Sequence, residues 1–576
     1  MIPATYTLAA PNPQTIALLT SAGYDPLVAR LLAVREIHTV AAARAFVTPQ
    51  LRDLPDPHLL LDCEKAAKLL VDAVQAGNSI CIYGDYDVDG ISAAALLSDV
   101  LTMAGAAPVV FLPDRMRDGY GLRLERLHEL ADAGATIFVS ADCGSTAVTE
   151  VAAMRARGCE FVICDHHALG PQLPPASAHL NPKQPLCRYP DKNLAAVGVA
   201  MVLAQALRRE LVRRDVCPVE AIDLRSVMEL AALGTIADLV ELRDVNRALA
   251  WHGLRALGQS ARPGLRALIE HLPNDGVEAA RVGFVVGPKI NAAGRIAEPR
   301  TAFEVLTERN KERAGLLAMQ LDIDNNRRKE LTLQMTAQAI ALAKQASISG
   351  AVVVAHRDWH PGVVGIVAAR LVEQFGVPAF AIAIDQAGTA RGSGRSVPGY
   401  DLVAALRQAA LDVLTRCGGH AYAAGITLQQ DAIAVFAERM SQHATLAIGA
   451  TPVPRAFSVD AQLAPQECTL QLLETIGQLE PFGRGNEAPR FVLRGVQIND
   501  MRVVGKTGEW VQAKLHDVGS QKSYGRAYVA AFGALRLWSE RTNGELVDVV
   551  CKLDRNFYKG KATVQAMVDL VLAAAA

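Results

Sequence analysis

The sequence predicts an α/β protein: a parallel-sheet domain, a long linker helix, a second, smaller α/β domain and a small C-terminal β-barrel or sandwich. Three observations predict it. From Ser79 short β-branched runs alternate with amphipathic helical stretches, and the same alternation resumes after Ser349, as in βαβ units. From about Arg455 the text changes to short strand-like runs separated by Gly, Asn and Asp turns, the spacing of a small all-β unit.

In chain order, residues 1–55 read as an N-terminal helical segment and 56–304 as the first domain. There SICIY leads into an Asp-rich turn and the helical ISAAALLSDVLTMAG, followed by PVVFLP, TIFVSAD, TAVTEVAAMRARG and FVICD. A mostly helical region occupies roughly 194–345. Its charged end, from TERNKERAGLLAM onward, repeats Leu and Met at helical spacing and predicts a partly exposed linker helix over 305–348. The second α/β domain, 349–452, contains AVVVAH, GVVGIVAARLVEQFG and PAFAIAI, punctuated by GSGRS and by Gly418-Gly419-His420. The last, 453–576, carries RFVLRGVQI, WVQAKLH, AYVAAFG and ELVDVVCKL.

Composition agrees with several packed domains. A chain of 576 residues is expected to hold about three or four. With 51% apolar and 20% charged residues, large cores are available and long disordered tracts are not expected. Lys and Arg (58) nearly cancel Asp and Glu (59), so any nucleic-acid binding must use local patches rather than a global basic excess. The N-terminus lacks a basic then apolar leader pattern, and no apolar run reaches the ~18 residues of a membrane span. A cytoplasmic protein without a membrane partner is the expectation. Ten scattered Cys with no CxxC pair argue against both a zinc ribbon and a disulfide framework.

The chemistry is carried by carboxylates and imidazoles. Asp85, Asp87 and Asp89 alternate directly after the first predicted strand. In extended backbone such residues face one side, which is repulsive unless a cation is present. One acidic loop alone would be an ordinary solvated turn. However, Asp142 follows TIFVSA and Asp165-His166-His167 follows FVIC, so each cluster lies just past the carboxyl end of a predicted strand. In an open parallel sheet those ends gather at one crevice. Asp238, ending Gly234-Thr-Ile-Ala-Asp238, could by itself simply cap a helix. Beside the others it offers one more carboxylate.

DYDVDG, DCG, DHH and GTIAD, in this order, resemble the DHH phosphoesterase superfamily, and within it the RecJ single-strand-specific exonucleases. The resemblance continues through Trp359–Gly365, GSGRS, Cys417–His420 and Leu479–Asn486, nearly the whole chain. It implies that Asp87, Asp89, Asp142, His166 and Asp238 hold two divalent ions, with Asp142 bridging and Asp85 an outer or weak ligand. An oxygen-rich site with one imidazole suits Mn²⁺, the preferred choice, or Mg²⁺ better than zinc. Such ions clamp the attacking and leaving oxygens and activate water. His167 would touch the scissile phosphate or protonate the leaving oxygen, and Asp165 would orient the imidazole.

The resemblance further implies that Ser393, Arg395 and Arg115 hold a 5′-terminal phosphate, and that Asn291 and Arg295 touch substrate beside Lys289, where many relatives carry Arg. Gly418, Gly419 and His420 would approach the phosphate chain, although a Gly-Gly turn with a core His is the plainer reading. An OB-type barrel would stack bases on aromatics. Trp510, Tyr524, Tyr528, Phe532 and Trp538 are interleaved with fifteen Lys and Arg against thirteen Asp and Glu, though aromatics in a barrel are more often core.

The implied activity is 5′→3′ hydrolysis of single-stranded DNA to mononucleotides in repair and recombination, with a single-strand-binding protein and a helicase as conceivable suppliers of substrate. Two rivals are a small-substrate phosphodiesterase, which would need no long strand-binding surface, and a non-catalytic DNA-binding scaffold, which would usually have broken ligands.

Overall fold

The computed structural model describes residues 4–272, 276–346, 349–449, 453–505, 508–517, 528–558 and 561–574. The chain divides into two compact units. One comprises Leu54–Val240 with Ala248–Pro454, the other Ala4–Asp53, Glu241–Arg247 and Arg455–Ala576.

The first unit contains two sheets. The first sheet comprises β1 (Ile80–Tyr83), β2 (Val109–Phe111), β3 (Ile137–Ala141), β4 (Glu160–Cys164) and β5 (Ala178–Leu180). All its pairings are parallel, in the order β2-β1-β3-β4-β5. Strands β1 and β3 are buried at every position, which is why they read as continuous apolar runs rather than alternating ones. The order reverses between β1 and β3, and such a switch point opens a crevice at the strands' carboxyl ends. Strand β5 is short and enters through Ala-His-Leu, so no β-branched run announced it.

Helices α1 (Val88–Met103), α2 (Ala196–Arg213) and α3 (Met228–Ala237) pack on one another beside this sheet. Helix α4 (Gly287–Ile296) then packs on α5 (Lys311–Gln345). Helix α5 has 35 residues and at 1.5 Å per residue spans about 50 Å. Asn310 caps its start by accepting from the Arg313 amide. The stripe it buries is narrow and mostly Ala, Leu and Met, so most of its circumference stays polar and legible as a linker.

The second sheet contains β6 (Val352–His356), β7 (Ala379–Ile384), β8 (Thr389–Arg395), β9 (Arg416–His420) and β10 (Ala423–Gln429), in the order β9-β10-β8-β7-β6. Only β6 and β7 run parallel, joined through helix α6 (Val364–Phe375). Met335, Ala339 and Ala343 of α5 share a core with β6, β7 and α6.

In the second unit, β11 (Phe491–Val504), β12 (Trp510–Asp517), β13 (Tyr528–Ala534), β14 (Leu546–Tyr558) and β15 (Lys561–Ala573) form a ring. Its order is β11-β12-β13-β15-β14 with β14 pairing back onto β11, the strand order of an OB fold. The N-terminal residues belong to this unit. Their helices contribute Leu19, Val28, Leu31 and Leu32 to a core shared with Phe491, Val511 and Val549, and the strand Ala4–Leu8 pairs with Arg455–Val459. All ten cysteines are free. Among the described residues, no helix is long and apolar enough to cross a membrane.

Candidate metal centre and phosphate pocket

The turn after β1 places three carboxylates at the switch point. Asp87 caps α1, its Oδ1 accepting from the amides of Asp89 (3.0 Å) and Gly90 (3.1 Å). Gly90 is required here, because a Cβ would lie 2.8 Å from the backbone of Asp85. Asp89 lies in the first helical turn with both oxygens engaged, accepting from Ala196 N (2.6 Å) and Val197 N (2.9 Å) at the start of α2. It therefore ties two helix starts together and keeps its remaining lone pairs for a cation.

Asp142, just past β3, adopts a left-handed backbone (φ 70°), a conformation in which Asp is several-fold enriched. Its amide donates to Cys164 O at 3.0 Å. Past β4, Asp165 uses Oδ1 to accept from the amides of His166 (2.7 Å) and His167 (3.1 Å) and from His167 Nδ1 (2.8 Å). Asp238 follows α3, with Oδ2 3.6 Å from His166 Nε2.

These groups converge. Ligand atoms of Asp85, Asp87 and Asp142 lie within 4.8 Å of one another, as do those of Asp89, His166 and Asp238, and those of Asp142, His166 and His167. The buried Oδ1 atoms of Asp85 and Asp142 meet no hydrogen-bond donor. Burial, reinforced by neighbouring carboxylates, pushes Asp85 and Asp142 well above the usual range and raises Asp89 to about 7. Unpaired buried carboxylate oxygens are costly. A cluster of them beside an imidazole fits one or two hard divalent cations, which would remove that cost.

Asp165 is different. Despite complete burial, its bonds with His167 and backbone amides hold it well below the carboxylate range. His167 is raised to about 9, because the Asp165 hydrogen bond and surrounding carboxylates outweigh desolvation. Burial lowers His166, keeping its imidazole neutral as a ligand must be.

Beside the carboxylates lies a cavity of about 190 Å³ lined by Asp85, Asp87, Arg115, Tyr120, His167, Asn291 and Arg295, among others. Asn291 Oδ1 accepts from Val88 N at 3.3 Å, fixing α4 to the start of α1. A second cavity of about 280 Å³ is lined by Arg115, Arg391, Ser393 and Arg395. Arg115 borders both. Arg295 falls to about 10 through burial and the nearby Arg115, Arg328 and Arg395, and burial next to Arg115 also lowers Arg395. Cations held this close favour an anionic occupant.

The sequence-predicted residues therefore divide. Asp85, Asp87, Asp89, Asp142, Asp165, His166, His167 and Asp238 come together. Arg115, Asn291, Arg295, Ser393 and Arg395 line the adjoining cavities. Gly418, Gly419 and His420 line neither. They form edge strand β9, while its partner β10 lines the second cavity through Ala423–Gly425. Gly419 is needed by that hairpin, since a Cβ would lie 2.2 Å from Ala423 O. Lys289 pairs with Asp322 at 2.7 Å and lines neither cavity.

Two residues carried unread signals. Arg391 shares a face of β8 with Ser393 and Arg395, the period-two spacing visible in Arg391-Gly-Ser-Gly-Arg395. Tyr120 Oη lies 3.2 Å from the ring nitrogens of His167. On the ring-shaped sheet, Trp510 (43%) and Tyr528 (52%) are exposed, whereas Trp538 (2%) is core. Tyr524 lies outside the described residues.

A parallel sheet with carboxylates and paired imidazoles at its switch point, joined to a second α/β domain, defines a DHH-type phosphoesterase architecture. The sequence matches the family models described as "DHH family, N-terminal domain" over 79–235, "DHHA1 domain" over 347–445 and "RecJ OB domain" over 459–569. It is 34% identical over 547 residues to the single-stranded-DNA-specific exonuclease RecJ of Bacillus subtilis, covering 94% of this chain and 67% of that one. With the protein of the same name from Escherichia coli it shares 32% over 561 residues, covering 94% and 95%. The crystal structure of RecJ in complex with Mn²⁺ from Thermus thermophilus superposes with a TM-score of 0.84 at 28% identity, covering all of this chain and 80% of that one. A Mg²⁺ complex from the same organism gives 0.77 at 27%, covering all of this chain and 79% of that one. The chain belongs to the RecJ family.

Proposed function

We propose that the chain is a metal-dependent 5′→3′ exonuclease that hydrolyses single-stranded DNA to mononucleotides in DNA repair and recombination. The observation that carries this reading is the adjacency of two unlike sites sharing Arg115: carboxylates with unpaired buried oxygens, and a guanidinium-lined cavity. The relatives bear the name single-stranded-DNA-specific exonuclease, and two crystal structures of the Thermus thermophilus relative hold Mn²⁺ or Mg²⁺.

Asp87 and Asp142, with Asp85 as an outer or weak ligand, would hold one ion, and Asp89, His166 and Asp238 the other, with the Asp142 charge serving both. When bound, the ions would neutralise charge on the scissile phosphate and activate water. Ser393, Arg395, Arg391 and Arg115 would grip the terminal phosphate, Arg through bidentate hydrogen bonds. His167, held by Asp165, would donate a proton to the departing oxygen. Asn291 keeps α1 and α4 in register. On the ring-shaped sheet, Trp510 and Tyr528 would stack bases, with Lys514 Nζ 5.1 Å from the Tyr528 ring to meet phosphate. The division 56–304, 305–348, 349–452 and 453–576 would separate cutting, spanning, end-binding and strand-binding. A single-strand-binding protein and a helicase would supply substrate.

The test uses 5′- and 3′-labelled DNA and RNA oligomers, single- and double-stranded, with Mn²⁺, Mg²⁺ or EDTA. Mononucleotides released from the 5′ end of single strands, and abolished by EDTA, are expected. Stepwise loss from the 3′ end would refute the polarity.

A further inference from the structure

We propose that Asn181 and Lys183, on the turn after β5, are positioning residues that set the imidazoles of His166 and His167. The proposal rests on the assignment of those imidazoles made above. His166 and His167 lie beyond the end of β4, outside any helix or strand, so no ladder of hydrogen bonds fixes their backbone. Asp165 holds the two amides. That leaves two carbonyls at the mouth of a highly charged site.

Both carbonyls are taken by this one turn. Lys183 Nζ donates to His166 O at 2.5 Å, and Asn181 Nδ2 donates to His167 O at 2.9 Å. Asn181 is fully buried and engaged on both sides. Its Nδ2 also donates to Ser145 Oγ (2.9 Å) and its Oδ1 accepts from Lys183 N (2.9 Å). Ser145 N in turn donates to Asp165 Oδ2 at 2.9 Å. The peptide units bearing both imidazoles are thus gripped from their amide and carbonyl sides, through Asp165 and through the Asn181–Lys183 turn. Asn is the residue type that can do this. It offers two N–H donors and an acceptor, whereas Asp would set lone pairs against the His167 carbonyl. Lys183 adds a charge-assisted bond, and its partly exposed side chain can be altered without opening a core. Partners that orient metal-binding imidazoles typically contribute about 10–100-fold in metal affinity or activity.

The experiment compares wild type with Lys183→Met, Lys183→Arg and Asn181→Asp in the full chain. Mn²⁺ binding is measured by electron paramagnetic resonance titration without DNA, alongside melting temperature and kcat and KM on a 5′-phosphorylated single strand. Expected are Mn²⁺ binding weaker by about 10–100-fold in Lys183→Met and Asn181→Asp, a comparable fall in kcat, unchanged KM, and recovery of most of both quantities in Lys183→Arg. A rise in KM alone for Lys183→Met, with Mn²⁺ affinity intact, would make Lys183 a DNA contact and overturn the proposal. So would wild-type Mn²⁺ binding and kcat in both Lys183→Met and Asn181→Asp, or losses that track melting temperature with no rescue by Arg. A wild-type protein that binds no Mn²⁺ would instead overturn the metal assignment itself.

Discussion

Asp142 Oδ1 stands 3.3 Å from His166 Nε2, yet meets no hydrogen-bond donor in suitable geometry although it is buried. A carboxylate kept beside an imidazole and denied a donor is arranged for a cation. Asp142→Asn should abolish turnover, by about 10³-fold or more if the charge serves both ions. Without metal the same variant should melt no lower than wild type, because Asn matches the neutral carboxyl that burial favours there and cannot take on a charge its neighbours would repel. Calorimetry with EDTA and turnover with Mn²⁺ check the two halves separately. Retained activity would remove Asp142 from the site.

Metal-induced stabilisation should grow with pH. Asp89 is raised to about 7, and Asp85 and Asp142 are raised as well. A carboxyl raised on folding contributes stability that is present below its unfolded value near 3.8 and lost as pH rises through about 7. The metal-free protein therefore loses this contribution across that window, while a cation, held by the deprotonated forms, gains affinity. Each displaced proton tightens apparent binding about tenfold per pH unit, about 1.4 kcal/mol. The melting-temperature difference with and without Mn²⁺ should widen from pH 5 to 8; a constant difference would disconnect these carboxyls from the metal.

Much of this site was legible because strand ends are visible in sequence. SICIY, TIFVSA and FVIC mark β1, β3 and β4, and the acidic residues directly after them had to meet once the sheet was parallel. Other features lay beyond reach. Strand β5 is three residues long, so nothing in the sequence singled out Asn181 and Lys183 just beyond it. The pairing of the N-terminal strand with Arg455–Val459 joins residues about 450 positions apart, a relationship that no local pattern encodes. Gly418-Gly419-His420 carries in sequence both a phosphate-approaching and a plain Gly-Gly-turn reading, and the steric demand on Gly419 inside its hairpin is visible only in the fold.

Tyr120 should influence the rate through His167. Its hydroxyl contacts that ring at 3.2 Å and, with the imidazole held protonated up to about 9, accepts from it, while desolvation and the nearby carboxylates of Asp165 and Asp142 raise the phenol's own pKa. Tyr120→Phe should lower kcat by about tenfold, the worth of one hydrogen bond made to a reacting group, with Mn²⁺ binding unchanged. Wild-type kcat in this variant would leave the hydroxyl without a role.

Arg391→Ala and Arg395→Ala should weaken capture of the strand end. Both guanidiniums line the same cavity as Arg115. Loss of a charged hydrogen bond to phosphate costs about 1.5–3 kcal/mol, so KM for a 5′-phosphorylated oligomer should rise about 10–100-fold. A 5′-hydroxyl oligomer should be nearly unaffected. Arg395→Lys should recover only part, since an ammonium lacks the planar fork. Equal losses on both oligomers would place the terminal phosphate elsewhere.

Lys289 should matter for stability rather than for DNA. The resemblance aligned it with an arginine and raised the prospect of a substrate contact, but its ammonium joins Asp322 of α5 at 2.7 Å and lines neither cavity. Its side chain is 10% exposed and that of Asp322 42%, so solvent screens the pair from one side. Removing the ammonium should cost about 1–2 kcal/mol, between the values for surface and buried pairs. Lys289→Met should therefore lower the melting temperature by a few degrees and leave KM for single-stranded DNA unchanged. Because Asp322 would remain partly buried and uncompensated, the double variant Lys289→Met/Asp322→Leu should regain most of the loss, a coupling that a double-mutant cycle measures directly. A rise in KM with no change in melting would return Lys289 to the substrate path.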